Sequence, residues 1–145
     1  MDNSEIYSCR QSAGRYAVSI RNRQEIVSAL ATFCKDKNIR SGEISGIGAV
    51  DKAVLRFFNP QTKQYVDRTF TGQMEIAGLA GNISTLDGEI YLHLHITLGC
   101  EDYSAKAGHL LSAVLSGAGE FFITDFGTEL KRTFDPDLRL NCYDF

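Results

Sequence analysis

The segment Glu89-Ile90-Tyr91-Leu92-His93-Leu94-His95-Ile96-Thr97-Leu98 alternates strictly between apolar and other residues. A period of two marks a half-buried strand. It puts Ile90, Leu92, Leu94, Ile96 and Leu98 on one face and Tyr91, His93, His95 and Thr97 on the other. Two residues along a strand span roughly 6.5–7 Å, so the imidazoles of His93 and His95 can converge on one ion. The remaining histidine of the chain, His109, follows Gly108, and a glycine there permits close backbone approach. Three imidazoles match the protein ligands of a zinc that keeps one position open for water or substrate; other divalent metals share the ligand type. The competing reading is three solvated histidines on an outer strand face. Their confinement to residues 93–109, with none elsewhere in the chain, favours the metal.

Working outward, Tyr16-Ala17-Val18-Ser19-Ile20 predicts a first strand. Asn22 with Glu25 three residues later predicts a helix N-cap with a capping box. Ile26, Val27, Leu30, Phe33 and Cys34 then recur at helical spacing, which predicts one amphipathic helix ending near Asn38. Beyond it the spacing predicts short strands over 42–50, 53–58, 65–70 and 74–85, with Asn59-Pro60-Gln61 as a turn. Asp87-Gly88 predicts a hairpin into the histidine strand, 99–108 a loop, 110–115 and 121–126 two strands separated by Ser116-Gly117-Ala118-Gly119, and 138–143 a closing edge strand. The fold class expected is α+β: a largely antiparallel single sheet of about seven strands flanked by helices, in one domain over 1–145.

Composition narrows the function classes. The chain has 145 residues, 43% hydrophobic and 23% charged, with a formal net charge of −3. That is ordinary for a globular protein, and it lacks the basic excess of a dedicated nucleic-acid surface. Arg15, Arg21, Arg23, Lys35, Lys37 and Arg40 are interspersed along the N-terminal third and read as a solvated face. Cys9, Cys34, Cys100 and Cys142 form no C-x-x-C pair and read as reduced thiols. Cys100, five residues past His95, is a secondary candidate for a metal ligand, although a small buried hydrophobe is the commoner role. Met1-Asp2-Asn3-Ser4-Glu5 carries no signal-peptide features and no apolar run is long enough to span a membrane, so a cytoplasmic protein is expected. Gly46-Ile47-Gly48 lacks the third glycine and the following helix of a dinucleotide site, and its glycines are expected to permit close packing. No nucleophile elbow and no P-loop lysine is present.

Several segments resemble, in order, the PPC domain shared by plants and prokaryotes: Gly42-Glu43-Ile44-Ser45-Gly46-Ile47-Gly48-Ala49-Val50-Asp51-Lys52-Ala53, Glu75-Ile76-Ala77-Gly78-Leu79-Ala80-Gly81-Asn82-Ile83, Asp87-Gly88, His93-Leu94-His95 and Gly108-His109-Leu110. The resemblance implies a sheet flanked by helices, similar to the acetolactate decarboxylase fold, assembled as a homotrimer. It also implies a metal on His93, His95 and His109, as in stand-alone prokaryotic members. The family carries a DNA-binding label because its plant members have AT-hooks. Here no Arg-Gly-Arg-Pro core occurs and the only prolines are Pro60 and Pro136, so direct DNA binding is not expected. Gln73 and Met74 stand where the plant motif has Arg and Phe.

Three functions compete. One is a trimeric binding or regulatory module with a histidine-bound zinc that takes a protein partner or a small molecule. Another is a zinc-dependent lyase or hydrolase acting on a small carbonyl compound, with Glu75, Glu120 and Tyr91 as acid–base candidates. The third is a purely structural metal.

Overall fold

A computed structural model describes residues 2–145. Nine strands and one helix follow one another: β1 (Asp2–Asn3), β2 (Tyr7–Ser12), β3 (Arg15–Ile20), α1 (Ile26–Asp36), β4 (Gly42–Asn59), β5 (Gln64–Leu86), β6 (Glu89–Gly99), β7 (Ala105–Asp125), β8 (Lys131–Asp135) and β9 (Leu140–Tyr143). The sheet order is β1-β2-β3-β7-β4-β5-β8-β9. β6 lies off this path and pairs with both β5 and β7. β4, β5, β6 and β7 therefore form a closed circuit of pairing. The β5–β8 pair is parallel and the other strand pairs are antiparallel, so the sheet is mixed.

This corrects the α+β expectation. The protein is mostly strand, and the single helix does not flank a sheet in company with others. The physical reason lies in the strands' length. What reads as pairs of short strands is a set of long ones, because β-bulges absorb the interruptions. β4 runs unbroken through register shifts between Gly46 and Gly48 and between Val50 and Lys52. β5 carries Phe70 through Gly72 to Met74 without a turn. β7 passes straight through Ser116-Gly117-Ala118-Gly119, where Gly119 pairs with Ile20 on one side and Gly48 on the other. A bulge bends and twists a strand without ending it, so one long strand can cross from one neighbour to another. The expected loop over 99–108 shrinks to residues 100–104. Strands β1, β2 and β8 were not expected at all.

Helix α1 starts at a different cap from the one the sequence suggests. Glu25 is the N-cap, its carboxylate accepting from the backbone N–H of Val27 (3.0 Å) and Ser28 (2.8 Å). The same carboxylate accepts from Ala113 N–H on β7 at 3.0 Å, tying the helix to the sheet. Asn22 instead accepts from Gly117 N–H, supporting the β7 bulge region. The helix buries Ile26, Ala29, Leu30, Phe33 and Cys34. Phe33 is fully buried, with Tyr7 and Tyr16 edge-on at 5.1 and 5.3 Å, a favoured aromatic geometry. Under it lie Leu94, Ile96 and Leu98, the apolar face of the histidine strand. Burial of that face leaves the opposite one, with His93 and His95, directed away from the core.

Two glycines permit the close strand approach. A Cβ on Gly46 would stand 2.2 Å from the Phe121 ring, and one on Gly81 would stand 2.1 Å from the His93 carbonyl oxygen. Asp87 (φ 51°) and Gly88 (φ 81°) make the hairpin before β6, consistent with a two-residue turn having both centres at positive φ.

Candidate metal centre

The pairing register brings the three histidines together. His95 on β6 is the direct cross-strand partner of His109 on β7, and His93 lies two residues along the same face of β6. Opposed residues on antiparallel strands hold their Cβ atoms about 4.5–5.5 Å apart. The ring centroids are 5.2 Å apart for His93–His95, 5.2 Å for His93–His109 and 5.6 Å for His95–His109. One ligating nitrogen from each lies within 4.8 Å of the other two. Among the described residues this is the one cluster of metal-ligating side chains of that kind. Its donors are all imidazole nitrogens, a set that suits zinc and other borderline divalent metals better than calcium or magnesium, which prefer oxygen.

Electrostatics favour the ligating state. Burial, then His95 and Arg132, push His93 below its ordinary pKa. Burial, then His93, His95 and Arg56, bring His109 down to about 4, with Asp67 opposing. Both imidazoles are thus held neutral at pH 7, as a metal ligand must be. A stability consequence follows. Free histidine in an unfolded chain titrates near 6.5, so between about pH 6.5 and 4 the unfolded metal-free protein binds more protons than the folded one. Stability of the metal-free protein is therefore expected to fall as pH is lowered from 6.5 towards 4, and urea midpoints measured at pH 7, 6 and 5 check it. His109→Gln should flatten that slope; an unchanged slope would show that another group is responsible. The carboxylates held low by their partners, Asp67, Glu89, Asp102 and Glu129, act at lower pH, from about 4.5 downward.

The triad opens into a cleft of about 670 Å³. Its walls come from β4, the start of β5, Tyr91, and the β8–β9 hairpin with Phe134, Arg139, Leu140 and Asn141. Tyr91 is held in place from behind. The Arg132 guanidinium lies 5.1 Å from its ring and 4.2 Å from that of Tyr143. Arg132 donates to Ser84 Oγ, Asn82 Oδ1 and the Asn141 carbonyl, each at 2.8 Å. On the opposite wall Arg56, the register partner of His109, donates to both oxygens of Asp67 at 2.7 and 2.8 Å, a bidentate charge-assisted pair.

Of the acid–base candidates, Tyr91 lines this cleft. Glu75 pairs in register with Ala49 and Gly99, four residues of β6 away from His95. Glu120 pairs with Ile47 and lines a separate groove of about 680 Å³ with Ile47, Leu79 and Phe122. Cys100 accepts from the Lys106 ammonium at 3.1 Å and stands outside the triad. Sequence reasoning missed Arg56, Arg132, Arg139 and Asn141. Their convergence depends on long-range register and on the parallel β5–β8 pairing, which local patterns do not encode.

The chain is similar to several known proteins. The model of the Plants and Prokaryotes Conserved domain matches residues 7–127. A crystal structure of a candidate DNA-binding protein from Bacteroides thetaiotaomicron is 57% identical, with a TM-score of 0.95, covering 97% of this chain and 99% of that one. A metal-containing protein from Archaeoglobus fulgidus is 27% identical, with a TM-score of 0.85, covering 98% of this chain and all of that one (100%). A plant- and prokaryote-conserved protein from Pyrococcus horikoshii is 26% identical, with a TM-score of 0.80 and 97% coverage of each chain. No curated protein matches the chain.

Proposed function

The chain belongs to the Plants and Prokaryotes Conserved (PPC) domain family, and from that membership we propose that it is a cytoplasmic, homotrimeric binding or regulatory module. It holds zinc on His93, His95 and His109 and takes a small ligand at the metal's remaining position. The observation that carries this reading is the triad itself: three imidazole donors from two directly paired strands, opening into a cleft. Bound there, zinc would supply a Lewis-acidic site for an oxygen or nitrogen ligand. The likeness to a metal-containing archaeal protein supports the same reading.

Binding is favoured over catalysis because no aspartate or glutamate lines the cleft, among the described residues, to serve as a general base. Tyr91 is the acid–base candidate that stands there. The relative from Bacteroides carries a DNA-binding name. In this chain a net charge of −3 supplies little of the counterion release that drives duplex binding, so the proposed ligand is not DNA. No helix of the described residues is long and apolar enough to cross a membrane.

Elemental analysis of untagged protein, dialysed free of loose metal, tests the proposal. About one zinc per chain is expected, the stoichiometry of a single three-histidine site. Protein that takes up no divalent metal after incubation with excess zinc would refute it.

A further inference from the structure

The cleft beside the triad has two chemistries on its walls. Its polar side is positive without compensation. Arg56 is neutralised by Asp67, but Arg139, exposed in the β8–β9 turn, has no ion-pair partner among the described residues. Behind Tyr91, every hydrogen bond of Arg132 goes to a neutral acceptor: a serine hydroxyl, an asparagine amide oxygen and a backbone carbonyl. A divalent ion on the histidines would add two more positive charges. A half-enclosed site with that balance attracts an anion. The other side is apolar. Phe57 is 64% exposed and Phe134 56% exposed on the rim, and Tyr65 completes it. Exposed phenyl rings gathered around a concave polar site usually mark a ligand surface.

We infer that the cleft binds a small organic acid, its carboxylate received by the metal and Arg139 and its apolar or aromatic body packed against Phe57, Tyr65 and Phe134. The inference rests on the metal reading above. A carboxylate offers zinc an oxygen donor and offers a guanidinium a planar, two-oxygen partner. Inorganic anions share that head but have no body to cover the rings. A volume of about 670 Å³ accommodates a molecule of this kind.

Cobalt(II) in place of zinc gives the full-length protein a visible spectrum that responds to what binds the ion, and zinc, a closed-shell d¹⁰ ion, does not. Cobalt-loaded protein is titrated separately with 3-phenylpropionate, propionate, 3-phenylpropanol and inorganic phosphate. Phenylpropionate is expected to shift the cobalt bands and to bind roughly tenfold or more tighter than each of the other three, the worth of one lost charged or aromatic contact. Arg139→Gln is expected to weaken phenylpropionate about tenfold with cobalt affinity unchanged, and Phe134→Ala to bring it near propionate. Both side chains are exposed, so neither variant threatens the fold. Equal binding of the alcohol or of phosphate overturns the inference, as do cobalt bands that stay unmoved by the acid while the metal is bound. Failure to retain cobalt overturns the metal centre and this inference with it, and so separates the two failures.

Discussion

Replacing His95 with alanine is expected to abolish the proposed stoichiometric zinc binding and to leave the fold intact. His95 is the exposed member of the triad and the register partner of His109, so its imidazole contributes little to the core beneath β6. Zinc held by four protein ligands is bound by about 10–16 kcal/mol, which assigns roughly 3 kcal/mol to each ligand. With only three protein ligands available, loss of one lowers affinity by more than about a hundredfold. Zinc per chain after dialysis should fall from about one to near zero, while the thermal transition of the metal-free variant should match that of the metal-free parent. A variant that keeps its full zinc complement would show that the metal is held elsewhere.

Phe122→Asp is expected to convert the proposed trimer to monomers. Phe122 is 67% exposed on β7 and Ile47 is 55% exposed on the adjacent β4. Both line the groove of about 680 Å³ that also contains Leu79 and Phe121. Two large apolar side chains on neighbouring strands, beside an apolar groove, form the kind of patch that subunits bury. A carboxylate placed among them at a closed interface costs several kcal/mol without a partner, and a cyclic trimer repeats that cost at three interfaces. Light scattering at micromolar concentration should give about three times the 16.1 kDa chain mass for the parent and one chain mass for the variant. A monomeric parent would refute the interface; a dimeric one would refute the count of three, which comes from the family.

The histidine strand was legible because one signal sufficed. Strict alternation from Ile90 to Leu98 fixed which residues go inward, and the Asp87-Gly88 turn fixed where the strand begins. The pairing of His95 with His109 was not legible, since register across a five-residue connection depends on which strands compete for β6. The architecture was misread for a related reason. Asp51-Lys52, Gly72 and Gly117 look like punctuation in a linear sequence, yet each sits within a long strand whose neighbours continue the ladder past it. The Asn22 cap was displaced by Glu25 because the latter satisfies three backbone donors at once, one of them on a distant strand.

The β8–β9 hairpin stands apart from the rest of the site in one respect. The family model covers residues 7–127 and so includes all three histidines, whereas Arg132, Phe134, Arg139 and Asn141 lie beyond it. The hairpin joins the sheet through a parallel register of only two residue pairs, Thr85 with Lys131 and Leu86 with Arg132. On the proposed reading, metal affinity and the hairpin's share of ligand preference are therefore written in different stretches of the gene. Substitutions in the final fifteen or so codons can retune what the cleft accepts without displacing a single imidazole. A lineage could in that way inherit one metal centre and evolve many specificities.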